Sequence, residues 1–154
     1  MSAIFAGNAF QATDLQRNHR AVLDAARESS ALIRDKDGLL LVIRPAEEAR
    51  RNEYVEDVLW SATCVARALQ LSPELRGPGM YGAFAWISQM PEADQQQFLR
   101  EVVDQVLVTR NSGSKEKLEY LIGDWKATAL TYSDEELVSE LSEDLDQPLH
   151  DVVL

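Results

Sequence analysis

Cysteine is almost missing from this chain: 154 residues contain one, Cys64. An internal disulfide is therefore excluded, and such sparse thiol usage suits a reducing, cytoplasmic setting. Long apolar runs are missing too. None approaches the roughly 20 residues that span a bilayer, so no membrane is expected as a partner. The opening stretch, MSAIFAGNAF, has no basic segment and no continuous apolar core, so no secretory leader is expected. Histidine occurs only at positions 19 and 150. There is no Cys/His spacing for zinc, no phosphate-binding glycine loop and no nucleophile elbow. Adjacent carboxylates such as Glu47 and Glu48 read as solvated acidic faces. The expectation is a protein that is not an enzyme and calls for no cofactor or metal. Positive charge is missing from one end, since Ala127 to Leu154 contains no Lys or Arg.

What is present is apolar enough to fold. Hydrophobic residues make up 45% of the chain, and its length suits one core-forming domain with an appendage. The net charge of −11 is unevenly placed. Residues 1–50 hold seven basic and seven acidic side chains; residues 51–154 hold eight and nineteen. An acidic chain as a whole binds nucleic acid poorly, because phosphate neutralisation drives that affinity. A neutral head can still bind if its cations share one face.

The pattern along the chain predicts an α+β fold. A short strand from Ala9 feeds a helix capped by Thr13 or Asp14 and running to about Glu28. Leu15, His19, Val22, Leu23 and Ala26 form its inner stripe, while Arg17, Arg20, Asp24 and Arg27 fall on the other side. Ala31 to Ile43 reads as a β-hairpin turning on Asp37-Gly38. Its second strand, Leu39 to Ile43, is continuously apolar, as in a strand covered on both faces, which points to a dimer partner. Pro45 opens a helix with the stripe Val55, Val58, Leu59, Ala62, Val65, Ala66 and Leu69. These elements form a head over residues 1–70.

Residues 71–82, with two prolines and three glycines, read as a linker. An all-helical, acidic extension is expected over residues 83–154. It starts with a short helix, Tyr81 to Gln89, that offers Phe84, Trp86 and Ile87 to something apolar. A helix opening at Pro91 carries Phe98, Leu99, Val102, Val103 and Val106. After a turn at Asn111 to Ser114, a helix from Lys115 to Leu130 gathers Leu118, Leu121, Ile122 and Trp125 on one face. Ser133 and Glu136 form a capping box for a last helix with Leu137, Leu141 and Leu145.

Two binding surfaces follow. Arg17, Arg20, Arg34 and Lys36, with Asn18 as a hydrogen-bonding neighbour, could converge on DNA; an ordinary solvated face is the other reading. The extension's apolar faces could fold back on each other or enter a partner's groove, with Trp125 and Tyr132 as aromatic anchors.

The segment from Thr13 to Ala26 (TDLQRNHRAVLDAA), with Ser30 to Arg34 (SALIR) and Asp37 to Ile43 (DGLLLVI), resembles the Phd/YefM (prevent-host-death) antitoxins. Trp86 to Asp94 (WISQMPEAD) and Gly123 to Ala129 (GDWKATA) resemble the extension of long actinobacterial members. Typical members carry an arginine where this chain has Gln16 and a leucine where it has His19. The resemblance implies a dimeric head that binds operator DNA, with Arg34 at a family contact position; Arg17, Asn18, Arg20 and Lys36 complete the expected contact set. It also implies an extension that holds a cognate toxin through Leu118, Leu121, Ile122, Trp125, Thr128, Tyr132, Leu137 and Leu141. A homodimer, enlarged to a higher oligomer when toxin is bound, would be the working form. The alternatives are a stand-alone dimeric transcriptional regulator without a toxin, and a structural module that keeps the head as a scaffold.

Overall fold

A computed structural model describes residues 9–134 and Ser139. Of the expected capping box Ser133 is described and Glu136 is not, and the stripe Leu137, Leu141 and Leu145 lies outside the described residues. The chain is a mixed α+β protein, mostly helical, with a small sheet near its start. It divides into two compact units that part between Glu53 and Tyr54.

The first unit carries the sheet. Strand β1 (Ala9–Gln11) pairs in parallel with β2 (Ala31–Arg34), which pairs antiparallel with β3 (Leu40–Ile43). The strand order β1-β2-β3 puts β2 in the middle. The hairpin turn is built by Asp35, whose carboxylate accepts the Asp37 and Leu39 amides, both at 2.8 Å. Gly38 sits at φ 84°, a left-handed conformation that a residue with a Cβ adopts at a cost.

Between β1 and β2 the expected single helix is two: α1 (Asp14–Arg17) and α2 (His19–Glu28). The break is Asn18, at φ −140° and ψ 42°. Asparagine is a weak helix former, and here it ends one helix while its carbonyl accepts the Ala21 and Val22 amides of the next. The Thr13 side chain makes no capping bond, and the Asp14 carboxylate instead accepts the Gln11 amide at 2.8 Å. The break also turns the stripe: Val22 and Ala26 are buried, whereas Leu15, His19 and Leu23 are exposed. Val22, Ala26, Ala31 and Ile33 form the buried core of this unit, with Phe10, Ala25 and Ile43 packed against it.

Strand β3 departs from expectation. Leu40, Leu41 and Val42 are 48%, 48% and 38% exposed. Successive strand residues point to opposite faces, so both faces of β3 are partly open, although Ile43 at its end packs on the core. Among the described residues of this unit, nothing supplies full cover for the apolar run.

The second unit is a helical bundle. Helix α3 (Ala46–Leu69) begins just after Pro45 and buries Val55, Val58, Ala62, Val65 and Ala68. Residues 71–82 belong to this unit rather than to a free linker. They form a 3-10 turn at Pro73–Leu75 and the start of a longer 3-10 segment, Pro78–Gln89. Arg76 fastens the stretch: its guanidinium donates to the Leu71 and Leu69 carbonyls and pairs with Glu92 at 2.9 Å. Tyr81 is buried, and its hydroxyl donates to Gln95 Oε1. Gly82, at φ 57°, lies so close to α3 that an added Cβ would meet Ser61 at 3.4 Å. Helices α4 (Glu92–Ser112) and α5 (Glu116–Ser133) follow, with Gly113 ending α4 in a left-handed cap.

Phe98 of α4 is fully buried at the centre of this bundle. Phe84, Trp86 and Trp125 meet its ring edge-on, with centroids 5.0, 5.2 and 5.9 Å away. The 3-10 segment therefore exposes Phe84, Trp86 and Ile87 to its own bundle. The change Phe98→Ala should cost about 3–5 kcal/mol in urea unfolding followed by circular dichroism. A loss below about 1 kcal/mol would mean that the ring cluster is not the centre of this core.

Candidate functional site

In the first unit the sheet topology gathers the expected DNA-contacting residues. Because β1 and β2 run in parallel, their C-terminal ends coincide: Gln11 is in register with Arg34, and the Ala12 amide donates to the Arg34 carbonyl at 3.0 Å. Helix α1 starts directly beyond β1, and the hairpin loop directly beyond β2. Arg17 at the end of α1, Asn18 at the break, Arg20 in the first turn of α2, Arg34 and Lys36 are thus brought to one end of the sheet, and all five are exposed. Among the described residues, none of these four cations forms an ion pair. Acidic neighbours share this end: Asp14 and Asp35 each accept backbone amides through one oxygen, and Asp37 lies exposed in the hairpin loop.

In the second unit the structure divides the expected toxin-contacting set. Leu118 is fully buried and belongs to the bundle core, while Leu121, Ile122 and Trp125 are half-buried against it. The apolar face of α5 is therefore largely spent on its own bundle, because α4 and the 3-10 segment lie across it. Thr128 is exposed, its hydroxyl donating to the Asp124 carbonyl at 3.0 Å. Tyr132 is exposed and donates to Asp94 Oδ2 at 2.7 Å. Leu137 and Leu141 lie outside the described residues.

The space left between α4 and α5 is a groove. The bonds Trp125 Nε1 to Glu101 Oε2, at 2.8 Å, and Tyr132 to Asp94 pair late α5 with early α4, so the helices run antiparallel. Two adjoining cavities, of about 300 and 420 Å³, share Leu121 and Asp124. Asp94, Glu101, Trp125 and Thr128 line the first; Gln105, Glu116, Lys117 and Tyr120 line the second. Four carboxylates thus face one ammonium over an apolar floor. The sequence reading missed this acidic lining. The signal available was the seven-residue spacing of Asp94 and Glu101, which places both on one helix face.

Two phenols of this unit are perturbed. The hydrogen bond to Asp94 raises the Tyr132 hydroxyl above its usual pKa, with smaller help from lost hydration and the carboxylate charge. Burial, and then the Glu119 carboxylate, raise that of Tyr54. Lys115 lies 5.3 Å from the centre of the Tyr54 ring and pairs with Glu119 at 2.7 Å. Among the described residues no group of three or more His, Cys, Asp or Glu is placed to hold a metal ion, and no helix is long and apolar enough to cross a membrane.

Comparison with known proteins returned no match: no family model fits the chain, and no curated protein or solved structure matches it.

A folded state that holds the Tyr132 proton more tightly than the unfolded chain has this contribution intact below pH 10.0 and loses it as pH rises through the folded value. Ultraviolet titration should therefore show a tyrosine component above pH 10.0 that loses the Tyr132 share and keeps that of Tyr54 in Tyr132→Phe. Amplitude lost at the ordinary tyrosine range instead would mean that the Asp94 bond does not hold the phenol in solution.

Proposed function

We propose that this chain is an antitoxin of the Phd/YefM type. Its N-terminal unit pairs with a second copy and binds operator DNA, and its C-terminal unit holds a cognate toxin by steric occlusion. The observation that carries this reading is strand β3: an edge strand with apolar residues exposed on both faces, in a unit whose own core is small. Such an edge is a template for pairing, and a symmetric dimer is the commonest way to cover it. Two copies double the cationic end formed by Arg17, Arg20, Arg34 and Lys36 and suit a palindromic site. The resemblance of the sequence from Thr13 to Ile43 supports the same assignment. The function needs no chemistry: DNA is held through its phosphates, and the toxin is blocked by contact.

One observation favours a second reading, a stand-alone dimeric regulator without a toxin. The apolar face of α5 is already covered within its own bundle, which leaves less of it for a protein partner. Affinity purification from the native host separates the two. A stoichiometric companion encoded next door, toxic when expressed alone, supports the antitoxin; a clean homodimer that binds DNA supports the regulator.

Both readings require the head dimer. Leu40→Lys with Leu41→Lys puts a charge on each face of β3. Light scattering should then find a monomer where the parent chain is a dimer, and a double variant that stays dimeric would remove β3 from the interface. On the DNA side, Arg34→Ala should lower the slope of log affinity against log salt by about one. An unaltered slope would exclude Arg34 as a phosphate contact.

A further inference from the structure

We infer that the α4/α5 groove is a docking site for a basic, amphipathic helical segment of a partner protein. This rests on the protein-binding reading of the C-terminal unit and changes where the contact is made. The apolar face of α5 is turned inward, so the surface left for a partner is the seam where α5 meets α4.

Three features of that seam agree on one occupant. The first is shape. Two antiparallel helices leave between them a channel that a third helix can enter by the packing that joins helices in bundles. From Asp94 to Gln105 the α4 wall is about 16 Å long, or three helical turns. The second is the floor. Leu121 and Trp125 are half-covered there, and Tyr120 beside them is 74% exposed, a large aromatic surface of the kind that anchors protein contacts. The third is charge. Asp94 and Glu101 stand on the α4 wall, Glu116 and Asp124 on the α5 wall, with Lys117 as the one cation among the lining residues. Carboxylates on both sides of an apolar strip match a helix with leucine-like residues along one line and arginine or lysine on both flanks. Nucleic acid is repelled by the same lining.

Two of the four carboxylates are already oriented. Glu101 accepts from the Trp125 indole and Asp94 from the Tyr132 hydroxyl. Each bond uses one oxygen; the second oxygen of Glu101 accepts from Gln97 Nε2 at 2.9 Å, and that of Asp94 is left for an incoming guanidinium. Replacement by the matching amide keeps an oxygen acceptor for both bonds, so the charge can be removed without disturbing the packing.

The test titrates the full-length protein with a synthetic peptide of about twelve residues, leucine on one helical face and arginine on its flanks. Affinity is measured by calorimetry, and the indole N–H signals of Trp60, Trp86 and Trp125 are followed by NMR. The variant Asp94→Asn/Glu101→Gln/Asp124→Asn is compared with Glu56→Gln/Asp57→Asn/Glu74→Gln, which removes the same charge from exposed positions outside the groove. Melting curves check that both fold. The groove variant should weaken binding at least tenfold and the control less than threefold, with the Trp125 signal moving and that of Trp60 unmoved. Equal weakening in the two variants, an unmoved Trp125 signal, or no binding by the parent chain overturns the proposal. A stoichiometric toxin held equally well by the groove variant sinks the groove and leaves the antitoxin reading standing. A peptide seated in the groove of a chain that has no toxin does the reverse.

Discussion

The C-terminal unit depends on one aromatic contact. Phe98 receives three rings edge-on, two from the 3-10 segment and one from α5, and so joins three stretches far apart in sequence. Edge-on packing sets the positive rim of one ring against the negative face of another, which adds direction to the simple burial of apolar area. That direction places Trp125, and Trp125 in turn places Glu101 through its indole. The acidic lining of the groove is therefore positioned by the core. Apolar packing at Phe98 decides where a charge stands at the surface.

The two units solve the problem of size differently. The second has enough helix to bury Tyr81, Phe84, Ile87, Phe98 and Leu118 and needs no partner to hide its centre. Among its described residues the first has four that are buried, none larger than isoleucine, and an apolar strand left in the open. A unit of that size is marginal alone, because little of its surface can be removed from water. Its fold is best regarded as half of an interface.

Much of this was legible in the sequence, for identifiable reasons. The stripe Phe98, Val102 and Val106 repeats at helical spacing and is buried in α4, and Asp37-Gly38 turns the hairpin. Three points were not legible. Periodicity marks which face of a helix is apolar but not what covers it, so Leu118 looked available when it is core. Prolines and glycines mark departures from regular structure but not whether the chain is loose there, so residues 71–82 looked like a linker although Tyr81 is buried among them. Asn18 lies in the middle of a good helical pattern, and only the path of the backbone shows that it splits α1 from α2. The acidic groove belongs with these, since it needs two helices placed side by side and no single stretch contains it.

Arg76 has a consequence for how such a chain can change over generations. Its side chain, 9% exposed, reaches back to the carbonyls of Leu69 and Leu71 and forward to Glu92. A planar guanidinium serves three acceptors at fixed angles, which lysine, a single point charge, does not reproduce. The residues between Leu71 and Glu92 are thus measured against a molecular ruler. Loop tips usually absorb insertions and deletions at small cost. Here one residue gained or lost between Leu71 and Arg76 would displace the guanidinium from acceptors on both sides. Outside Arg76, Tyr81 and Gly82, the glycine- and proline-rich stretch should therefore vary in the identity of its residues and stay constant in its length.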